Sequence, residues 1–119
     1  MRETQTYTGG CHCGRVRFEV QANLDTVISC NCSICSKSGF LAAFTPAAAF
    51  KQTSGQDSMK EYLFNKMRAH HQFCTHCGIK PFSHGKGPDG GDMVVFNVRC
   101  LDDIDLAGLK LTPFDGKSL

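Results

Sequence analysis

Gly10-Cys11-His12-Cys13-Gly14-Arg15-Val16-Arg17-Phe18-Glu19-Val20 holds both features that decide the fold. Its second half alternates. Val16, Phe18 and Val20 share one face, and Arg15, Arg17 and Glu19 share the other. Side chains of an extended chain switch sides at every residue, so this is the pattern of a strand with one buried face. Its first half is a Cys-x-Cys pair closed by glycine. The same alternation puts both sulfurs on one side of the chain, and Gly14 lets the backbone turn through positive φ behind them.

Working outward, the strand pattern recurs. Val94, Phe96 and Val98 share a face in the run from Met93 to Val98, and the residues from Phe40 to Thr45 before Pro46 form a third candidate. The stretches from Met59 to Phe64 and from Ala69 to Phe73 are weaker ones. Ala47, Ala48, Ala49 and Phe50 follow Pro46 and suit a single helical turn, because proline is tolerated at a helix start. No long window carries a 3.6-residue period. The sequence therefore predicts a mainly β domain of short antiparallel strands, with turns at Gly9-Gly10, at Gly55, from Gly85 to Gly91 and at Gly116. We expect the 119 residues to form a single domain with one modest core, a size at which a metal is a common supplement.

Composition excludes several classes. Thirteen basic residues face 11 acidic ones for a net charge of +2, and the basic residues form no run, so no nucleic-acid or membrane surface is expected. The polar start Met1-Arg2-Glu3-Thr4 is unlike a secretory leader, and no apolar run has the length of a membrane span. The expected location is the cytoplasm. There, eight cysteines point to metal or redox chemistry rather than to a disulfide framework.

Seven of these cysteines stand in motifs: Cys11-x-Cys13, Cys30-x-Cys32-x-x-Cys35 and Cys74-x-x-Cys77. Cys11/Cys13 and Cys74/Cys77 are each followed by glycine. Together they supply four thiolates, which close a tetrahedral Zn²⁺ as in structural sites. Cys30, Cys32 and Cys35 supply three, and three protein ligands with a vacant fourth position is the usual form of a catalytic zinc. The residues around them are small or polar, as a site that a ligand enters requires. The expectation is two zinc ions per chain, one structural and one open and reactive. The alternatives are a redox dithiol at Cys74/Cys77, and a second structural site completed by a histidine or by Cys100. Cys100 continues the face of Val94, Phe96 and Val98, so we read it as a core thiol.

Other residue types are less specific. His12 and His76 lie between ligands and are read as surface, and His84 is open to either reading. Of His70 and His71, His71 is the better candidate for a proton-transfer or supporting role. Lys37, Lys80 and Arg99 are candidates to hold a substrate carboxylate, against a reading of each as solvated. Phe18, Phe40, Phe44, Phe50, Phe64, Phe73, Phe82 and Phe96 are read as core.

The three cysteine motifs, in this order, resemble the glutathione-dependent formaldehyde-activating enzyme family, also known as the centromere-protein-V-like family. Residues 10–18 resemble its opening, residues 30–39 its central CxCxxC motif, residues 71–78 its late CxxCG motif, and residues 97–102 a segment near the end of its short members. Asn31 stands where many relatives carry histidine. The resemblance implies a zinc-pinned β-sheet fold of the β-tent type. It implies that Cys11, Cys13, Cys74 and Cys77 hold the structural zinc, and that Cys30, Cys32 and Cys35 hold the zinc where glutathione chemistry occurs. The activity then expected is that of a zinc-dependent carbon–sulfur lyase or synthase. It would condense a small thiol such as glutathione with an aldehyde such as formaldehyde to S-hydroxymethylglutathione. The alternative is a non-catalytic zinc-binding or thiol-sensing module, and the fourth position of the second zinc discriminates the two.

Overall fold

A computed structural model of the chain describes residues 4–62, 70–87 and 90–115. Among these residues ten strands form two sheets. The smaller holds β1 (Gln5–Gly10), β2 (Arg17–Ala22) and β5 (Phe50–Ser54) in the order β1-β2-β5. The larger holds β3 (Val27–Cys30), β4 (Leu41–Pro46), β6 (Met59–Tyr62), β7 (His70–Cys74), β8 (Phe82–Lys86), β9 (Asp92–Asn97) and β10 (Leu111–Phe114). Its order is β10-β3-β4-β9-β8-β7-β6, with every pair antiparallel except the parallel β10 and β3. One six-residue helix, α1 (Ser33–Ser38), lies between β3 and β4. No helix of the described residues is long and apolar enough to cross a membrane.

The mainly β architecture follows from the alternation. In β2, Phe18 and Val20 are buried while Glu19 is exposed, and Val16 just before it is buried too. Phe18 meets Phe82 from the larger sheet edge-on at 5.9 Å, and Phe50 packs on both at 5.2 and 4.9 Å. Phe96 lies 6.4 Å from Phe18, so the core is an aromatic cluster shared by the two sheets. The expected turn after Pro46 is a 3-10 turn over Ala47–Ala49.

Several expectations are corrected. Gly9 and Gly10 are no turn; they end β1, paired with Phe18 and Arg17. A Cβ on Gly9 would come within 2.4 Å of the Cys100 carbonyl oxygen, and one on Gly10 within 2.1 Å of that of Val16, so close backbone approach explains both glycines. Gly85 is likewise inside a strand, whereas Gly55 does turn, at φ +84°. Phe44 is not core: Thr45 and Ala43 face in, and the alternation turns Phe44 outward. The strand expected from Met59 is described through Tyr62, and Phe64, Ala69 and Gly116 lie outside the described residues.

Phe18 is 1% exposed at the junction of the sheets. Phe18→Ala should lower stability by about 3–5 kcal/mol in urea unfolding, the range for deleting a buried phenyl ring.

Candidate metal centre

Two turns carry the first cysteine group. Cys11 follows β1 directly, its amide donating to the Val16 carbonyl at 3.0 Å, and Gly14 closes the turn at φ +83°. Cys74 ends β7, and its amide donates to Ile79 at 2.9 Å while that of Gly78 donates back to Cys74 at 2.9 Å. One turn belongs to the smaller sheet and the other to the larger. The sulfurs of Cys11, Cys13, Cys74 and Cys77 all lie within 4.8 Å of one another. The separation is 3.5 Å from Cys11 to Cys13 and 3.7 Å from Cys13 to Cys74. Tetrahedral zinc with bonds near ~2.3 Å requires sulfur–sulfur edges of about 3.8 Å, so the group fits that metal. All eight cysteines are free thiols.

Backbone amides suit the sulfurs to negative charge. The Val16 amide donates to Cys11 Sγ, and the His76 amide to Cys74 Sγ, each at 3.4 Å. The Arg15 amide brings the exposed Cys13 thiol down to about 6. Burial raises Cys77, but the amides of Ile79 and Cys13 and the neighbouring thiols outweigh it and leave a net lowering. Burial pushes the Cys11 thiol up, so a bound metal would favour its ionised form.

The second group is local. Cys30 ends β3, Cys32 occupies the N-cap of α1 in an extended conformation, and Cys35 lies within the helix. Gly39, at φ +72°, ends the helix by donating to the Cys35 carbonyl at 3.0 Å. The three sulfurs lie within 4.8 Å of one another, and no fourth histidine, cysteine or carboxylate joins them among the described residues. Burial pushes Cys35 up to about 12, with the Cys32 thiol adding to the rise. Burial also raises Cys32, yet hydrogen bonds from the Cys35 and Ile34 amides and the Cys35 thiol leave it lowered. The donor set suits a thiophilic ion with one position left for another ligand. Asn31 lies inside the loop without joining the group. Its Nδ2 donates to Asp115 Oδ1 at 2.9 Å and its amide to the Phe114 carbonyl at 3.1 Å, so β10 steadies the loop.

Sequence reasoning singled out Lys80 and His71 separately and missed that they meet. Lys80 is half-buried, with Nζ 3.0 Å from His71 Nδ1 and 4.9 Å from the centre of the buried Phe40 ring. Burial lowers the Lys80 ammonium, and the charges of Cys35 and Cys32 draw it back up in part. Asn97 fixes its backbone: Nδ2 donates to the Lys80 carbonyl at 3.1 Å, and the Asn97 amide donates to Pro81 at 2.9 Å. Asn97 Oδ1 accepts from the Leu41 and Arg99 amides at 3.2 and 3.1 Å. His71 and Lys80 are nine residues apart across a turn, and only strand register brings them together.

A cleft of about 520 Å³ is lined by Cys11, Arg17, Ser38, Lys80, Arg99 and Cys100 among others. Cys30, Cys32 and Cys35 do not line it, but Ser38 ends the helix that carries Cys35, and Lys80 feels the charge of that sulfur. Arg17 is paired in a fork with Asp102, which also accepts from Thr8 Oγ1 at 2.8 Å. Arg99 is exposed.

The remaining candidates sit apart. Cys100 joins neither sulfur group; it is a half-buried thiol packed against the core, pushed up to about 11 by burial. It reaches that position from a 3-10 turn over Val98–Cys100 rather than from the strand. His12, His76 and Lys37 are exposed. His84 contacts Gln72 and packs against Phe50 and Phe82.

The model of the glutathione-dependent formaldehyde-activating enzyme family matches residues 6–113. The chain belongs to this family. The match takes in both cysteine groups and eight of the ten strands in full. The fold is also similar to that of a Rhodobacter sphaeroides protein solved by crystallography, at 28% identity and a TM-score of 0.77, over 89% of this chain and 97% of that one.

The two groups should respond differently to loss of one sulfur. Cys11→Ser or Cys77→Ser removes a link between the sheets, and structural zinc contributes on the order of 10 kcal/mol to folding in small domains. These variants should lose their fold by circular dichroism. Cys32→Ser touches a link confined to one loop and should stay folded. The reverse pattern would mean that the two groups have exchanged roles.

Proposed function

We propose that this protein is a zinc-dependent carbon–sulfur lyase or synthase that interconverts a thiol–aldehyde adduct with its components, with glutathione and formaldehyde as the favoured pair. The observation that carries the reading is the three-sulfur group, which no fourth histidine, cysteine or carboxylate joins among the described residues. Cys11, Cys13, Cys74 and Cys77 would hold a structural zinc, and Cys30, Cys32 and Cys35 a reactive one. Zinc bound there would stabilise a thiolate at the fourth position and so supply the nucleophile at neutral pH. Family membership supports glutathione and formaldehyde as the reactants.

The chain's own residues support such a substrate. Glutathione carries two carboxylates, and the cleft presents Arg17 and Arg99 beside the helix of Cys35. Arg17 already serves Asp102, so Arg99 is the residue suited to a carboxylate of the tripeptide. In the forward direction the thiol sulfur bonds to the aldehyde carbon, and the oxygen ends as a hydroxyl. The reverse reaction breaks the same carbon–sulfur bond. Three thiolate donors make an electron-rich metal site, which favours thiol exchange over generation of hydroxide.

Substitution of cobalt for zinc makes the site visible. Glutathione titrated into the cobalt protein should change the sulfur-to-metal charge-transfer and d–d bands saturably, and the zinc protein should accelerate adduct formation seen by NMR. Bands unchanged to millimolar glutathione, with no acceleration, would favour the binding-module reading.

A further inference from the structure

We infer that Lys80 is a catalytic residue of this site, its ammonium hydrogen-bonding the aldehyde oxygen as charge develops there. The inference rests on the reading given under Proposed function. A metal held by the three cysteine sulfurs would have its remaining position filled by the incoming thiol sulfur. The aldehyde oxygen must then find its partner in the protein.

Lys80 differs from the other cations around the cleft. Arg17 is paired with Asp102, and Arg99 and Lys37 are exposed. Lys80 is half-buried and has no carboxylate partner among the described residues. Its Nζ sits over the ring of Phe40, two residues beyond the helix that carries Cys35. An ammonium group has three donors. One is used by His71 Nδ1 at 3.0 Å, and the face of Phe40 at 4.9 Å takes a second. Among the described residues no other partner takes the remaining donor, and the cleft lined by Lys80 and Ser38 gives a substrate oxygen access to it. The backbone is held as a fixed donor requires: the Lys80 carbonyl accepts from Asn97 Nδ2 at 3.1 Å and from Cys100 Sγ at 3.8 Å.

The step balances through water. The thiol gives up its proton to solvent as it binds. Its sulfur forms the C–S bond, and the π pair of C=O moves onto oxygen. Lys80 donates a hydrogen bond to that alkoxide and keeps its proton, and the oxygen takes a proton from water. In reverse the hydroxyl loses its proton to water, the alkoxide is held by Lys80, and the C–S bond breaks. Lys80 is then an oxyanion donor, and charge at Nζ is what it must supply.

The test uses zinc-loaded protein with Lys80→Met and Lys80→Arg, folded by circular dichroism. The glutathione Kd is read by calorimetry, and the adduct exchange rate by two-dimensional exchange NMR. Lys80→Met should leave Kd within about threefold and slow exchange by roughly 100-fold or more, the usual loss on removing one oxyanion donor. Lys80→Arg keeps the charge and should recover at least part of the rate. In wild type, the ¹⁵Nζ ammonium signal of Lys80 should shift with glutathione plus formaldehyde and not with glutathione alone. If Lys80→Met does not fold, His71→Phe removes the anchor instead and should slow exchange about tenfold at unchanged Kd, as expected for a mispositioned donor. Exchange at the wild-type rate in Lys80→Met, or in His71→Phe where that variant is used, would overturn the role of Lys80 and leave the thiol site intact. Loss of Kd in proportion to rate would also overturn it, because Lys80 would then bind the thiol. Wild-type protein that binds no glutathione and accelerates no exchange would overturn the underlying reading as well.

Discussion

Four cysteine sulfurs, two from the turn after β1 and two from the turn after β7, come within 4.8 Å of one another. The rest of the structure depends on that convergence. The first turn connects strands of the three-stranded sheet, and the second connects strands of the seven-stranded sheet. The sheets share an aromatic core centred on Phe18, Phe50, Phe82 and Phe96, but the core is small. A chain of this length buries a limited fraction of its surface, so a metal held between the sheets would supply a large share of its net stability. Cys11 is buried there, and burial pushes its thiol up.

The second cysteine group inverts this design. Its three sulfurs come from one loop and one short helix, so it can change ligands without disturbing the sheets. Its surroundings are fixed by other means. Asn97, buried at the end of β9, ties the Lys80 segment to the start of β4 through both ends of its amide. Asp115 and Phe114 hold Asn31 from the other side. In the proposed carbon–sulfur reaction such fixed groups would put the donor for the oxygen in place before charge develops.

The fold class was legible where one face is buried and the other wet. The alternation of Val16, Phe18 and Val20, and that of Val94 and Phe96, marked strands that are present. Strands β1, β3, β8 and β10 escaped notice because their burial does not alternate cleanly, and β10 is exposed throughout, while β5 alternates in burial but puts the polar Gln52 and Ser54 on the face of Phe50. The helix α1 escaped because six residues with none buried carry no period. Grouping of the cysteines was legible because cysteine spacing within a tight turn restricts which sulfurs can meet. The Lys80–His71 contact was not, since it depends on the turn between β7 and β8 and on burial against Phe40, neither of which local sequence encodes. The register of His71 opposite Ser83 leaves its ring beside Lys80, where a spacing argument offered only a choice between His70 and His71.

The central claim is a division of seven cysteines into a closed group of four and an open group of three. A crystal structure of freshly reduced, zinc-replete protein, with anomalous scattering recorded at the zinc edge, tests it directly. The account predicts two zinc peaks. One should be ringed by Cys11, Cys13, Cys74 and Cys77, and the other by Cys30, Cys32 and Cys35 with a fourth ligand that is not a protein side chain. A single peak, or a second zinc closed by a histidine, by a carboxylate or by Cys100, would contradict it.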